Sequence, residues 1–223
     1  TVMLSHNAPG QWNDGLIFQD ETYNPQGALL GKSFVQWEQG DYDSPRPSRI
    51  ETTDERGQQS GKEFSYGPRF NQVTETREYG YGYVFGGANT LLRQTVNQYL
   101  NDLNYTDPQP AQPGVWHHIF NLVTLTDVYD GAGVRLSRSE YSYDQFKGTA
   151  GLMDTPGLYF NNSPYTNPYY NLYNLDSRGN VTTIKHYADA AELDENTAAV
   201  EIRHYDIAGN VRKVETGCCM QTT

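Results

Sequence analysis

The sequence has almost no cysteine, no long apolar run and no cluster of positive charge, and each shortage removes a class of protein. Two cysteines, Cys218 and Cys219, stand side by side near the end of 223 residues. They cannot staple a small disulfide fold, and no further Cys or His lies at ligand spacing for a structural zinc. They are two thiols, unpaired or paired with a partner, or else a vicinal disulfide. The last is strained, because bridged Cα atoms normally stand more than about 4 Å apart. No apolar stretch approaches the roughly 20 residues of a membrane-crossing helix. The start, Thr1-Val2-Met3-Leu4-Ser5-His6, has neither an initiator Met nor the basic and apolar parts of a secretion signal, and reads as that of a fragment or processed product. Sixteen Lys and Arg are scattered among 27 Asp and Glu, for a net charge of −11. Contact with nucleic-acid phosphates or with an anionic membrane is therefore not expected, nor is membrane insertion.

Signatures of chemistry are equally scarce. Gly80, Gly82, Gly86 and Gly87 do not make a phosphate-cradling Gly-x-Gly-x-x-Gly, and no Gly-x-Ser-x-Gly or His-Glu-x-x-His occurs. His117 and His118 are neighbours, so on a strand they point to opposite faces. His186 and His204 stand beside tyrosines and read as strand residues. Asp41-Tyr42-Asp43 and Glu192-Leu193-Asp194-Glu195 lack the loop grammar of a calcium site, which needs about six to eight oxygens. No carboxylate pair is singled out for glycoside hydrolysis. The chain is accordingly expected to be no enzyme and to hold neither metal nor cofactor.

What the sequence does have is tyrosine and glycine. There are 18 Tyr and 21 Gly in a chain only 36% hydrophobic, with a mean hydropathy of −0.74. Such a chain cannot fill a thick aliphatic core and has to bury amphipathic rings instead. Charge is modest at 19%, and Tyr, Thr and Val recur, which suits half-buried pleated strands better than disorder.

A short phrase also repeats. Asp or Asn, two residues, then Gly occurs at Asn24–Gly27, Asp54–Gly57, Asp130–Gly133, Asp176–Gly179 and Asp206–Gly209. Tyr23, Tyr129 and Tyr205 directly precede three of them, and thirty residues separate Asn24 from Asp54 and Asp176 from Asp206. The side-chain oxygen at the first position accepts from backbone N–H groups ahead of it. Gly at the fourth takes positive φ and closes a hairpin as a type I turn with a bulge. Flanks such as Val200-Glu201-Ile202-Arg203-His204 and Val134-Arg135-Leu136-Ser137 alternate as strands do. Aromatic pairs Phe34/Trp37, Phe64/Tyr66 and Tyr141/Tyr143 fit antiparallel sheets with one wet face.

The fold expected is all-β: antiparallel hairpin repeats over residues 1–223 as one region, in a curved sheet or spiral shell segment. Gly80 to Gly87 reads as a loop or aromatic hairpin tip, and about 157–174 as a Tyr/Asn/Pro-rich insertion. Leu91–Leu100 and Asp189–Val200 have local helical character, but the hairpin context favours strand plus loop. Aromatics that could stack on a saccharide or peptide are Trp12, Trp37, Trp116 and, in the insertion, Tyr165, Tyr169 and Tyr170.

Tyr205-Asp206-Ile207-Ala208-Gly209-Asn210-Val211 and Asp176-Ser177-Arg178-Gly179-Asn180-Val181 resemble the tyrosine–aspartate repeat of the RHS (rearrangement hotspot) family, whose unit reads Tyr-Asp-x-x-Gly-Asn before a strand. Leu175 replaces Tyr in the second copy, the copy at Tyr129 lacks the Asn, and those at 24 and 54 are more degenerate. The resemblance implies hairpin arrays coiled into a hollow shell, secreted or displayed on a bacterial surface, often around a C-terminal toxin. Related shells occur in insecticidal toxin complexes and animal adhesion proteins. Self-cleaving members carry Asp-Pro-x-Gly-Leu, whereas here Thr155 interrupts Asp154-Thr155-Pro156-Gly157-Leu158, so protease activity does not carry over. The expected function is a structural piece of such a shell or a fibre, the alternative an adhesion module using exposed Tyr and Trp. Its partners would be the rest of a longer parent chain, an enclosed polypeptide, or another copy paired at an edge strand.

Overall fold

The computed structural model describes residues 1–102, 105, 119–146, 152–153, 177–187, 193–206 and 208–218. The chain is all-β. Twelve strands form one sheet in strict sequence order among the described residues. They are β1 (Val2–His6), β2 (Ile17–Tyr23), β3 (Leu29–Gln39), β4 (Pro45–Asp54), β5 (Gln59–Tyr66), β6 (Val73–Tyr79), β7 (Leu91–Tyr99), β8 (Val123–Asp130), β9 (Arg135–Tyr143), β10 (Val181–His186), β11 (Ala199–Tyr205) and β12 (Val211–Cys218). Both segments with helical character are strand-forming: Leu91–Tyr99 is β7, and Ala199 begins β11 after a single 3₁₀ turn at Glu195–Thr197. Where the sequence reads as one region, the chain packs as two compact units. The first holds Thr1–Asn97 and Asp127–Leu136, the second Gln98–Thr126 and Ser137–Thr223.

The Asp/Asn-x-x-Gly phrases close the hairpins. Asn24 Oδ1 accepts from the N–H groups of Gln26 (3.0 Å) and Ala28 (2.8 Å), Asn24 N–H donates to Ala28 O, and Gly27 N–H to Asn24 O. Asp54 repeats the set with Arg56, Gln58 and Gly57, and Asp130 with Ala132, Val134 and Gly133. Asp206 does so with Asn210 and Gly209. The glycines have φ between +76° and +88° at 27, 57, 133 and 209, where a Cβ would be strained. Asn24 and Asp54 are thirty residues apart because two strands and their connection lie between successive turns at one end of the first unit.

The fifth phrase behaves differently. Asp176 lies outside the described residues, and Gly179 (φ +74°) donates its N–H to Asp144, 35 residues back in the chain. Asp144 Oδ2 accepts from Arg178 N–H (2.9 Å) and Gly179 N–H (2.7 Å), and Oδ1 from Asn180 N–H (3.1 Å). Asp144 N–H in turn donates to Asn180 O, and Tyr143 pairs with Val181 as Tyr205 pairs with Val211. The hairpin between β9 and β10 is thus the same turn with its two halves separated by an insertion. Tyr143-Asp144 supplies the first half and Gly179-Asn180 the second.

Tyrosine ends these strands for a second reason. Tyr143 Oη donates to Val123 O at 2.7 Å and Tyr205 Oη to Val181 O at 2.9 Å. Each reaches from the last residue of its strand to the first residue of the strand before. Burial pushes the Tyr143 phenol up to about 12. The second unit holds nearly all of the described apolar core: Tyr187, Ala198 and Val200 in one cluster, Leu152 and Tyr205 in another, with Tyr105, Leu122 and Ile184. In the first unit Tyr83 is the one buried hydrophobic side chain among the described residues.

Candidate functional site: a polar groove on the first unit

Register decides which side chains share a face, because residues directly opposite in a sheet point the same way. Pairing aligns Gln19, Phe34, Glu51, Gly61 and Tyr79 in one row. Neighbouring rows on that face hold Glu21, Lys32, Thr53 and Gln59, and Gln36, Arg49, Glu63 and Arg77. On the opposite face lie Val35, Ile50, Lys62, Glu78 and Arg93, where Glu78 pairs with Lys62 at 2.7 Å and with Arg93. Those two cations hold the Glu78 carboxyl below its ordinary range, Arg93 contributing most. Both faces carry charge.

The first face is a network of carboxylates and hydroxyls. Tyr79 and Tyr83 both donate to Glu63, at 3.0 and 2.7 Å. Tyr23 donates to Glu21 at 2.7 Å, and Gln59 Nε2 to Glu51. Burial, then the bond to Glu63, raises the Tyr83 phenol. Gly61 makes that placement possible: a Cβ there would lie 2.5 Å from the Tyr83 ring. The loop between Gly80 and Thr90 therefore folds back over β5, with Tyr83 N–H donating to Gln59 O at 3.1 Å. Asn89 stiffens it, accepting from Val84 N–H at 2.7 Å and returning an Nδ2 bond to Val84 O at 2.9 Å.

Two residues beyond Tyr83, the Phe85 ring lies over Arg49, 3.7 Å from the guanidinium carbon to the ring centroid, with Phe34 at 5.7 Å. Arg49 lines a groove of about 490 Å³ with Gln19, Lys32, Phe34, Glu51, Thr53 and Gln59. Its side chain is 11% exposed. Nε stands 2.9 Å from Glu51 Oε1, yet the angle is too poor for a hydrogen bond, and Nε and Nη1 are both buried without an aligned acceptor. Leaving buried donors unmatched costs about 1–3 kcal/mol, so this guanidinium is held where folding alone does not favour it. A second, more apolar groove lies over Tyr79, Gly80, Tyr81 and Leu92.

The other candidate residues fall elsewhere. Trp116, Tyr165, Tyr169 and Tyr170 lie outside the described residues, as do His117, His118 and the motif at 154–158. Trp37 Nε1 donates to Ile17 O at 3.0 Å. His204 stacks on Phe146 (4.7 Å) and pairs with Glu215 (2.9 Å), while His186 bonds Ser139 at 2.8 Å. Asp41 accepts from Phe70 N–H and Asp43 from Gln39, so both serve loop structure. Among the described residues no three His, Cys, Asp or Glu side chains group to hold a metal ion. Sequence reading missed Asp144, whose signal was the half-unit Tyr143-Asp144. It also missed Arg49, which nothing in Arg49-Ile50-Glu51 distinguishes from an ordinary strand.

No family model matches the chain, and no curated protein matches it. Among solved structures it is similar to a porin-like protein from Bacteroides uniformis ATCC 8492, over 89% of this chain and 87% of that one. The identity is 14% and the TM-score 0.28, too low to carry an argument about function.

Proposed function

We propose that this chain is a non-catalytic wall segment of a larger RHS-type protein, secreted or displayed at the cell surface, whose β shell encloses or presents another polypeptide. The observation that carries the reading is the divided turn. Tyr143-Asp144 and Gly179-Asn180 rebuild across an insertion the geometry that Tyr205-Asp206-Ile207-Ala208-Gly209-Asn210 makes within one hairpin. The tyrosine–aspartate unit is thus a recurring structural device in this chain, as the family resemblance implies.

Three further features support the reading. Strand order follows sequence without crossovers, which lets hairpins be added at either edge. The first unit buries little apolar surface, as suits a wall with polar faces on both sides. Its ion pairs on both faces are also unlike the apolar outer band of a membrane barrel, where a charge costs about 2–4 kcal/mol at mid-depth. The partners are then the remainder of the parent chain and an enclosed polypeptide.

Sequencing the gene around this chain tests the reading. Further Tyr-Asp-x-x-Gly-Asn units at about two-strand spacing are expected on both sides. A reading frame confined to these residues would contradict it.

A further inference from the structure

We infer that the Arg49 groove is a binding site for a saccharide bearing a carboxylate, separate from the wall role of the sheet. The groove offers donors from Arg49, Lys32, Gln19, Gln59 and Thr53, and acceptors from Glu51 and the amide oxygens. A ligand that fills it has to donate and accept at closely spaced points, as adjacent sugar hydroxyls do. Its volume of about 490 Å³ lies within the range of small-molecule sites, roughly 300–1,000 Å³.

Charge narrows the ligand further. Arg49 Nε and Nη1 have no aligned acceptor, and Lys32 Nζ stands 3.7 Å from its only printed counter-charge, Glu21. A planar carboxylate supplies the two acceptors a guanidinium fork is shaped for. A bare inorganic anion fits poorly beside Glu51 and Glu21, and a nucleic acid fits poorly on a chain of net charge −11. An extended peptide would find the main chain of β3, β4 and β5 already paired on both sides. Phe85 is 61% exposed and rests on the guanidinium, so its ring is the part that gives way as the carboxylate arrives.

The test is titration of the full chain, followed by NMR, with a glucuronate-containing disaccharide and with the neutral glucose disaccharide of the same linkage. The acidic sugar is expected to shift the Arg49, Glu51, Gln59 and Phe85 resonances saturably, at least tenfold more tightly than the neutral one. Arg49→Lys, which keeps the charge and loses the fork, should weaken binding tenfold or more, and Lys32→Ala several-fold. Arg93→Gln on the opposite face should change nothing. Amide spectra of the variants report whether each still folds. If Arg49→Lys disturbs the fold, Lys32→Ala decides between binding and its absence. The inference is overturned if both sugars bind alike, if neither shifts these residues, if Lys32→Ala leaves binding intact, or if an acidic peptide shifts them where the sugar does not.

Discussion

At the scale of single residues, the account rests on what Asp and Gly do at the turns. Gly209 sits at φ +88°, a region closed to β-branched side chains. Gly209→Val should lower stability by more than about 1 kcal/mol, read as a drop in melting temperature. An unchanged melt would remove the turn assignment. Not all turn carboxylates are equal. Asp130 serves exposed amides, and Asp130→Ala should cost about 1 kcal/mol. Asp144 is 5% exposed and accepts from three backbone N–H groups and from Tyr105 Oη. Asp144→Ala strands those donors, and chemical denaturation should show a loss of roughly 3 kcal/mol or more.

Tyrosine adds a dependence on pH. Burial raises the phenols of Tyr66, Tyr143 and Tyr187 to about 12 from the ordinary 10, with Glu140 adding to the effect at Tyr187. Below pH 10 these groups are protonated in folded and unfolded chains alike, and their contribution is complete. Between pH 10 and 12 the unfolded chain ionises first, so stability falls as pH rises. Thermal melts should therefore decline across that window, and Tyr143→Phe should flatten part of the decline. A melt independent of pH up to 12 would mean the phenols are not buried as described.

At the scale of elements, the clearest expectation concerns the divided turn. Deleting residues 146–177 leaves Tyr143-Asp144-Gln145-Arg178-Gly179-Asn180, a contiguous unit. The variant should keep β9 paired with β10, with Tyr143 opposite Val181 in NMR cross-strand contacts, although it loses the packing of Leu152 on Tyr205. Loss of the β9–β10 pairing would show that the insertion, not the turn, joins these strands.

Much at this scale was legible in the sequence, and the reason is local. Asp-x-x-Gly encodes its hydrogen bonds within five residues, so Asn24, Asp54, Asp130 and Asp206 could be placed without knowing what they pack against. Asp144 was not legible by the same rule, because its partners are some 35 residues away in the chain. Strand against helix at Leu91–Tyr99 was settled by sheet pairing, since its composition suits either. The groove was least legible of all. Arg49 meets Phe34, Glu51 and Phe85 only through register and through a loop that lands on Gly61, and neither leaves a mark in the local sequence.

At the scale of the whole molecule, the two units differ in what holds them. The second buries Tyr187, Ala198, Val200, Ile184 and Tyr205, while the first relies on paired backbone, ion pairs and tyrosine–carboxylate bonds. Its surface ion pairs contribute little singly, about 0–1 kcal/mol each, so the first unit gains from strands continuing its sheet. The edge strand β1 carries exposed Val2, Met3 and Leu4, and the edge strand β12 exposed Val211 and Val214. Such edges are templates for further pairing. The measurement that tests this account most directly is cryo-electron microscopy of the full-length protein from which this chain comes. The account predicts that β1 and β12 each pair with a further strand of the same parent chain, in a sheet that curves around an enclosed space. Edges capped by no further strand, in a sheet that encloses nothing, would contradict it.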